Sequence, residues 1–129
     1  MKKKILIVSA NYYKDISNGL TNSAIKQIPK TNKVKIIEVP GTFEIPVIIS
    51  KNIKKYDAFL ALGCVIKGET PHFNFISEAS INAIMDLSIA SKKPIGNGII
   101  TCLNMLQAKA RKTKGAEAAK AVISILSLK

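Results

Sequence analysis

The chain has a single histidine, His72, in the run Lys67-Gly68-Glu69-Thr70-Pro71-His72-Phe73, where an apolar-periodic helix begins. An imidazole moves protons near neutral pH, and free backbone N–H groups at a helix start bind phosphate. A histidine there, beside Gly68, Glu69 and Thr70, suits acid–base chemistry on an anionic substrate. It also suits a capping or solvated side chain, and position alone leaves both readings open. Two further clusters stand out: the paired aromatics Tyr12-Tyr13 after the first apolar run, and Pro40-Gly41-Thr42-Phe43-Glu44 after the second. Near the carboxyl end lie Arg111 and Lys114. In a chain with 20 basic residues a solvated helix end explains that pair, although a guanidinium is well shaped to grip phosphate with two hydrogen bonds. One histidine and two separate cysteines, Cys64 and Cys102, form no recognisable metal-ligand spacing.

The elements that must position these residues follow from apolar periodicity. Residues 5–8, Ile-Leu-Ile-Val, are a continuous apolar run of the kind expected in a strand buried on both faces. Leu20, Ala24 and Ile28 recur at helical spacing up to Pro29, which closes that helix. Residues 34–39 read as a second strand, ended by Pro40-Gly41. Ile45, Ile49 and Ile53 fall one turn apart on a helix whose first turn tolerates Pro46. Residues 58–65 predict a third strand. The long helix after it has Ile76, Ala79, Ser80, Ala83, Ile84, Leu87 and Ala90 as its expected buried stripe. Residues 95–101 predict a fourth strand, weakened by Gly96 and Gly98. Two terminal helices follow over 103–111 and 115–128, the last with Ala118, Val122 and Leu126 in register.

Alternation of strand and helix without linker or repeat predicts one domain over residues 1–129. Its parallel sheet would be covered on both faces through right-handed crossovers. Ligands in such sheets bind beyond the carboxyl ends of the strands. The loops over 10–16, 40–44 and 66–72 should therefore meet at one site. Ordinary turn chemistry and helix caps account for the same residue types.

Composition narrows the class. A chain of 129 residues, 47% hydrophobic and without tryptophan, fits one core built from Ile, Leu, Val and Ala. Cys64 and Cys102 read as reduced, buried thiols of a cytosolic protein. The apolar run behind Lys2 to Lys4 is too short for a signal peptide, and no segment reaches membrane-spanning length, so a cytoplasmic location is expected. The net charge of +12 admits nucleic acid, an anionic substrate or a merely lysine-rich surface. The lysines scatter over 2–4, 51–55, 92–93 and 109–114 rather than forming one stripe interleaved with aromatics, which argues against nucleic acid.

The segments Val39-Pro40-Gly41-Thr42-Phe43-Glu44-Ile45-Pro46 and Ala61-Leu62-Gly63-Cys64-Val65-Ile66-Lys67-Gly68-Glu69-Thr70-Pro71-His72-Phe73 resemble the lumazine synthase family. So does Lys114-Gly115-Ala116-Glu117-Ala118-Ala119. The likeness is close over residues 39–82 and looser from 1 to 129. It implies a three-layer α/β/α sandwich with a four-stranded parallel sheet, flavodoxin-like in topology, assembled as a homopentamer. It also implies a transferase of riboflavin biosynthesis that needs no metal or organic cofactor. Such an enzyme joins 5-amino-6-(D-ribitylamino)uracil to 3,4-dihydroxy-2-butanone 4-phosphate, forming 6,7-dimethyl-8-ribityllumazine with loss of phosphate and water.

By the same resemblance Tyr12 stacks on the pyrimidine ring, and main-chain groups at Thr42, Phe43, Val65 and Ile66 read its edges and the ribityl chain. Glu44 accepts from ribityl hydroxyls. Gly68, Glu69, Thr70 and Arg111 hold the phosphate, and His72 is the general acid/base. Lys114 corresponds to the lysine of the family's Asn-Lys-Gly segment, and Asn97, Arg111 and Lys114 join the site from the neighbouring subunit. The sequence also departs from the family's pattern. Asn11-Tyr12-Tyr13 stands where Arg-Phe-Asn is common, and Asn97 where many members place a Phe. The 111–114 segment and the arm before the first strand are short, which weighs against a closed shell of pentamers. A flavin or lumazine carrier, or a riboflavin synthase of the archaeal type, is the alternative on the same fold. The intact 68–73 motif speaks against the second.

Overall fold

The computed structural model describes residues 2–128. Strands and helices alternate: β1 (Lys4–Ala10), α1 (Lys14–Ile25), β2 (Lys33–Val39), α2 (Ile45–Lys51), β3 (Ala58–Ile66), α3 (His72–Ser91), β4 (Ile95–Cys102), α4 (Met105–Ala110) and α5 (Gly115–Leu126). A single 3-10 turn, Thr42–Glu44, precedes α2. All strand pairs are parallel, in the order β2-β1-β3-β4. This is the flavodoxin-like arrangement, in which the chain starts in the middle and winds outward both ways.

Alternation of side chains across the central strands divides the core into two layers. Ile5 and Ile7 of β1, with Leu60 and Leu62 of β3, pack against α1 and α5 through Leu20, Ala24, Ala118 and Val122. Leu6 and Val8, with Phe59 and Ala61, face the other way onto Ile45 and Ile49 of α2 and Ile84 of α3. Residues 5–8 are completely buried, which is why that run is apolar without alternation. The polar group that enters the layer, Ser9, is satisfied by accepting from the Thr21 hydroxyl at 3.3 Å.

Several expectations are corrected. Helix α1 stops at Ile25 rather than continuing to Pro29. The next amides tighten to i−3 partners, Gln27 to Ala24 and Ile28 to Ile25, because the residue before a proline avoids helical geometry. Ile28 is nonetheless buried, reaching the core from the turn. Likewise α2 ends at Lys51, which leaves Ile53 beyond it and only partly packed. Along α3 only Ser80 and Ile84 are buried; Ile76, Ala83 and Leu87 are half-buried, and Ala79 and Ala90 are exposed. Phe75, Met85 and Ile89 of the same helix are apolar and exposed. With no polar face to contrast, periodicity could not select the side that meets the sheet.

β4 forms with both glycines in it: Gly96 admits α5, and Gly98 admits Leu62 of β3. A Cβ on Gly96 would lie 2.6 Å from the Ala118 carbonyl, and one on Gly98 2.4 Å from Leu62 Cδ2. The start of α5 is seated just as tightly on α1, since a Cβ on Gly115 would meet the Leu20 carbonyl oxygen at 2.0 Å. That contact fixes where the turn carrying Arg111 and Lys114 leaves the body. We therefore expect Gly115→Ala to force α5 away from α1 at a cost of about 1–3 kcal/mol, the range for overpacking. Urea denaturation of the two proteins reads this directly. An unchanged midpoint would mean that the α1–α5 seam yields without loss.

Candidate active site

Because the strands are parallel, the segments leaving β1, β2 and β3 emerge on one edge, and there they enclose a pocket of about 590 Å³. Its walls are Tyr12 and Tyr13 after β1, Gly41 to Glu44 after β2, Cys64 to Ile66 at the end of β3, and His72 and Ile76 on the first turns of α3. Main-chain bonds hold the rim: Asn11 donates to the Val39 carbonyl at 2.9 Å and Lys67 to that of Cys102 at 2.9 Å. The Ser80 hydroxyl donates to the Thr42 carbonyl at 3.4 Å, tying α3 to the 3-10 turn. Phe43 and Tyr12 are large apolar groups left open to solvent, 60% and 75% exposed. A concave site walled by aromatics and aliphatics with few polar groups suits a flat ring carrying a polar chain.

Of the residues singled out in the sequence, the pocket brings together Tyr12, Thr42, Phe43, Glu44, Val65, Ile66 and His72. His72 is the first residue of α3, and its backbone N–H lies 3.4 Å from the Thr70 hydroxyl oxygen that accepts from it. The imidazole therefore projects from a helix start whose loop, Gly68 to Pro71, is exposed beside it. Gly68, Glu69 and Thr70 do not line the pocket of the single chain, and neither do Asn97, Arg111 and Lys114. Asn97 turns its side-chain oxygen back to accept from Ile99 N–H at 3.1 Å. Arg111 is the exposed C-cap of α4, and Lys114 reaches Glu117 at 3.3 Å on the surface. The pocket consequently has a carboxylate and an imidazole but no lysine or arginine among its lining residues.

Tyr13, Cys64 and Ile76 are wall residues to which the sequence assigns no site role, although Tyr13 stands out there as the aromatic partner of Tyr12. Cys64 and Ile76 are ordinary apolar members of a strand and a helix. Cys64 and Cys102, distant in sequence, are free thiols that meet across β3 and β4, where Cys102 is in register with Ile66. Burial, then the neighbouring Cys102, pushes the Cys64 thiol up from 9.0 to about 12.

Fold and pocket together define a small α/β protein of flavodoxin-like topology with a concave pocket at the carboxyl ends of its first three strands. The chain belongs to the 6,7-dimethyl-8-ribityllumazine synthase family, whose family model matches residues 2–129. It is 41% identical over 139 residues to 6,7-dimethyl-8-ribityllumazine synthase 1 of Rhodopseudomonas palustris, spanning 98% of this chain and 85% of that protein. It is 44% identical over 138 residues to the 6,7-dimethyl-8-ribityllumazine synthase of Bartonella henselae, spanning 99% and 89%. The similarity thus runs through every element named above rather than through one motif.

The thiolate is the form of cysteine that reacts with alkylating agents. With its thiol held near 12, Cys64 in the native protein should be alkylated by iodoacetamide at pH 7.5 at least about tenfold more slowly than in the urea-unfolded chain. Peptide mass spectrometry over a time course gives both rates. Equal rates would show that the pocket wall opens to reagent.

Proposed function

We propose that this chain is a 6,7-dimethyl-8-ribityllumazine synthase of riboflavin biosynthesis, acting without a cofactor. It condenses 5-amino-6-(D-ribitylamino)uracil with 3,4-dihydroxy-2-butanone 4-phosphate. The observation that carries the reading is the pocket at the ends of β1, β2 and β3, with His72 at its rim, in a chain that matches this family along its whole described length. In this reading the pyrimidine lies against Tyr12 and Phe43, its edges bonded to main chain at Thr42, Phe43, Val65 and Ile66. Glu44 accepts from ribityl hydroxyls. His72 moves protons as the 5-amino group adds to the ketone and a first water leaves, as phosphate is eliminated, and as the ribitylamino nitrogen closes the ring with loss of a second water. Holding both reactants side by side provides much of the acceleration.

The departing phosphate needs cations, and the pocket of one chain is lined by none. We infer that Arg111 and Lys114, with Asn97, reach it from a neighbouring copy, while Gly68, Glu69 and Thr70 supply the near side of the phosphate cradle. A head-to-tail ring forms each interface from two different surfaces and so builds such mixed sites. Exposed apolar groups on α3 and α4 (Phe75, Met85, Ile89 and, at 79% exposure, Leu106) supply surface for the contact between copies. The assembly is proposed to be a pentamer. The +12 charge favours approach of the anionic substrate. No helix among the described residues is long and apolar enough to cross a membrane; the proposed place of action is the cytoplasm.

The test is formation of the lumazine, followed by its absorbance. Product should appear only when both substrates are present, and its absence with assembled protein would overturn the reading. In the same assay His72→Ala should lower kcat by about 10²–10⁴-fold, the usual contribution of a positioned general acid/base. An unchanged kcat at saturating substrates would return His72 to a capping role.

A further inference from the structure

We propose that Tyr13 is a positioning residue for the pyrimidine substrate: it presents its ring to Tyr12 and sets the plane on which the substrate stacks. The inference rests on the stacking role given to Tyr12 in the proposed function. Tyr12 and Tyr13 form an edge-to-face pair with ring centroids 4.8 Å apart and planes at 81°. Tyr12 is the exposed member, and an exposed side chain exchanges rotamers freely unless a neighbour restrains it. Tyr13 is the anchored one. Its carbonyl accepts the first helical bond of α1 from Ser17 N–H at 2.9 Å, and its ring packs on the buried cluster that includes Cys64 and Cys102. Burial raises the Tyr13 hydroxyl from its ordinary value of 10.0, so the phenol stays neutral throughout the neutral range. That hydroxyl has no hydrogen-bond partner among the described residues, which leaves the ring itself as the working part. Core, Tyr13 and Tyr12 thus form a chain of contacts ending at the pocket wall. A platform set before the ligand arrives spares part of the ordering cost of binding.

Tyr13→Leu keeps an apolar side chain against the core but removes the ring edge. It should raise the dissociation constant and KM for the pyrimidine substrate roughly three- to tenfold. KM for the phosphate-bearing ketone and kcat at saturation should stay within about twofold. Tyr13→Phe keeps the ring and should bind as the parent does. The decisive comparison is a double-mutant cycle with Tyr12→Leu, in which Tyr13→Leu should have no further effect once Tyr12 is gone. If Tyr12→Leu weakens pyrimidine binding but Tyr13→Leu has no effect, or costs the same in both backgrounds, the positioning role is overturned and the stacking role of Tyr12 stands. If Tyr12→Leu leaves pyrimidine binding intact, the stacking role falls and the positioning role with it. Failure of Tyr13→Phe to restore binding would also overturn it, since the ring would then not suffice.

Discussion

The parallel register of β1 with β2 and β3 is the constraint on which the site depends. A parallel pair cannot close through a tight hairpin, so each strand must return by a helix to the same starting edge. The consequence is chemical: whatever follows β1, β2 and β3 is delivered to one place. Val8 pairs with Ala61 and Ile37; β1 and β2 end in register at Ala10 and Val39, and β3 runs on past them to Ile66 at the same edge. Tyr12, the Thr42–Glu44 turn and the His72 loop become neighbours although they are about thirty residues apart. The complete burial of residues 5–8 makes the register costly to shift, because a slip of one residue would exchange the two core layers.

The same construction limits what one chain can do. The edge formed by β1 to β3 supplies aromatic walls, main-chain groups, a carboxylate and an imidazole. No guanidinium or ammonium lines the pocket there, although the chain carries 20 basic residues and Lys67 stands exposed just beyond β3. Arg111 and Lys114 stand instead on the turn between α4 and α5, placed by the close seam between Gly115 and the Leu20 carbonyl. The two ion pairs among the described residues, Lys112 with Asp15 at 3.7 Å and Lys114 with Glu117 at 3.3 Å, are both exposed and contribute little to stability. His72 lines the pocket while Arg111 and Lys114 stand outside it on a separate turn, the separation that the proposed second copy would bridge.

Much of this was legible in the sequence because the relevant signals are local. The double-sided apolar runs announced buried parallel strands, and turn residues marked the loops that reach the site. Seven of the residues given a site role by the family resemblance meet in the pocket. What was missed depends on tertiary contact. Gly96 and Gly98 weaken a strand by propensity alone, and the close approach of Ala118 and Leu62 that requires them is a tertiary contact that the sequence does not display. The burial of α3 was misassigned because that helix is apolar on more than one side. The thiol contact of Cys64 with Cys102 follows from strand register, which spacing along the chain does not report. Tyr13 was visible as a residue but not as a support, because its role is defined by the ring it touches.

Mixing tests most directly the proposal that His72 and Arg111 serve one site from different chains. His72→Ala and Arg111→Ala chains, each nearly inactive as pure assemblies, would be co-expressed in equal amounts so that they mix at random within a ring. A site is then intact only when it draws His72 from one kind of chain and Arg111 from the other, which leaves about one quarter of sites whole. Activity near one quarter of the parent's is the predicted result, with no recovery when the two pure assemblies are combined after they form. Activity no greater than the sum of the two variants, in rings shown to contain both chains, would contradict the shared site.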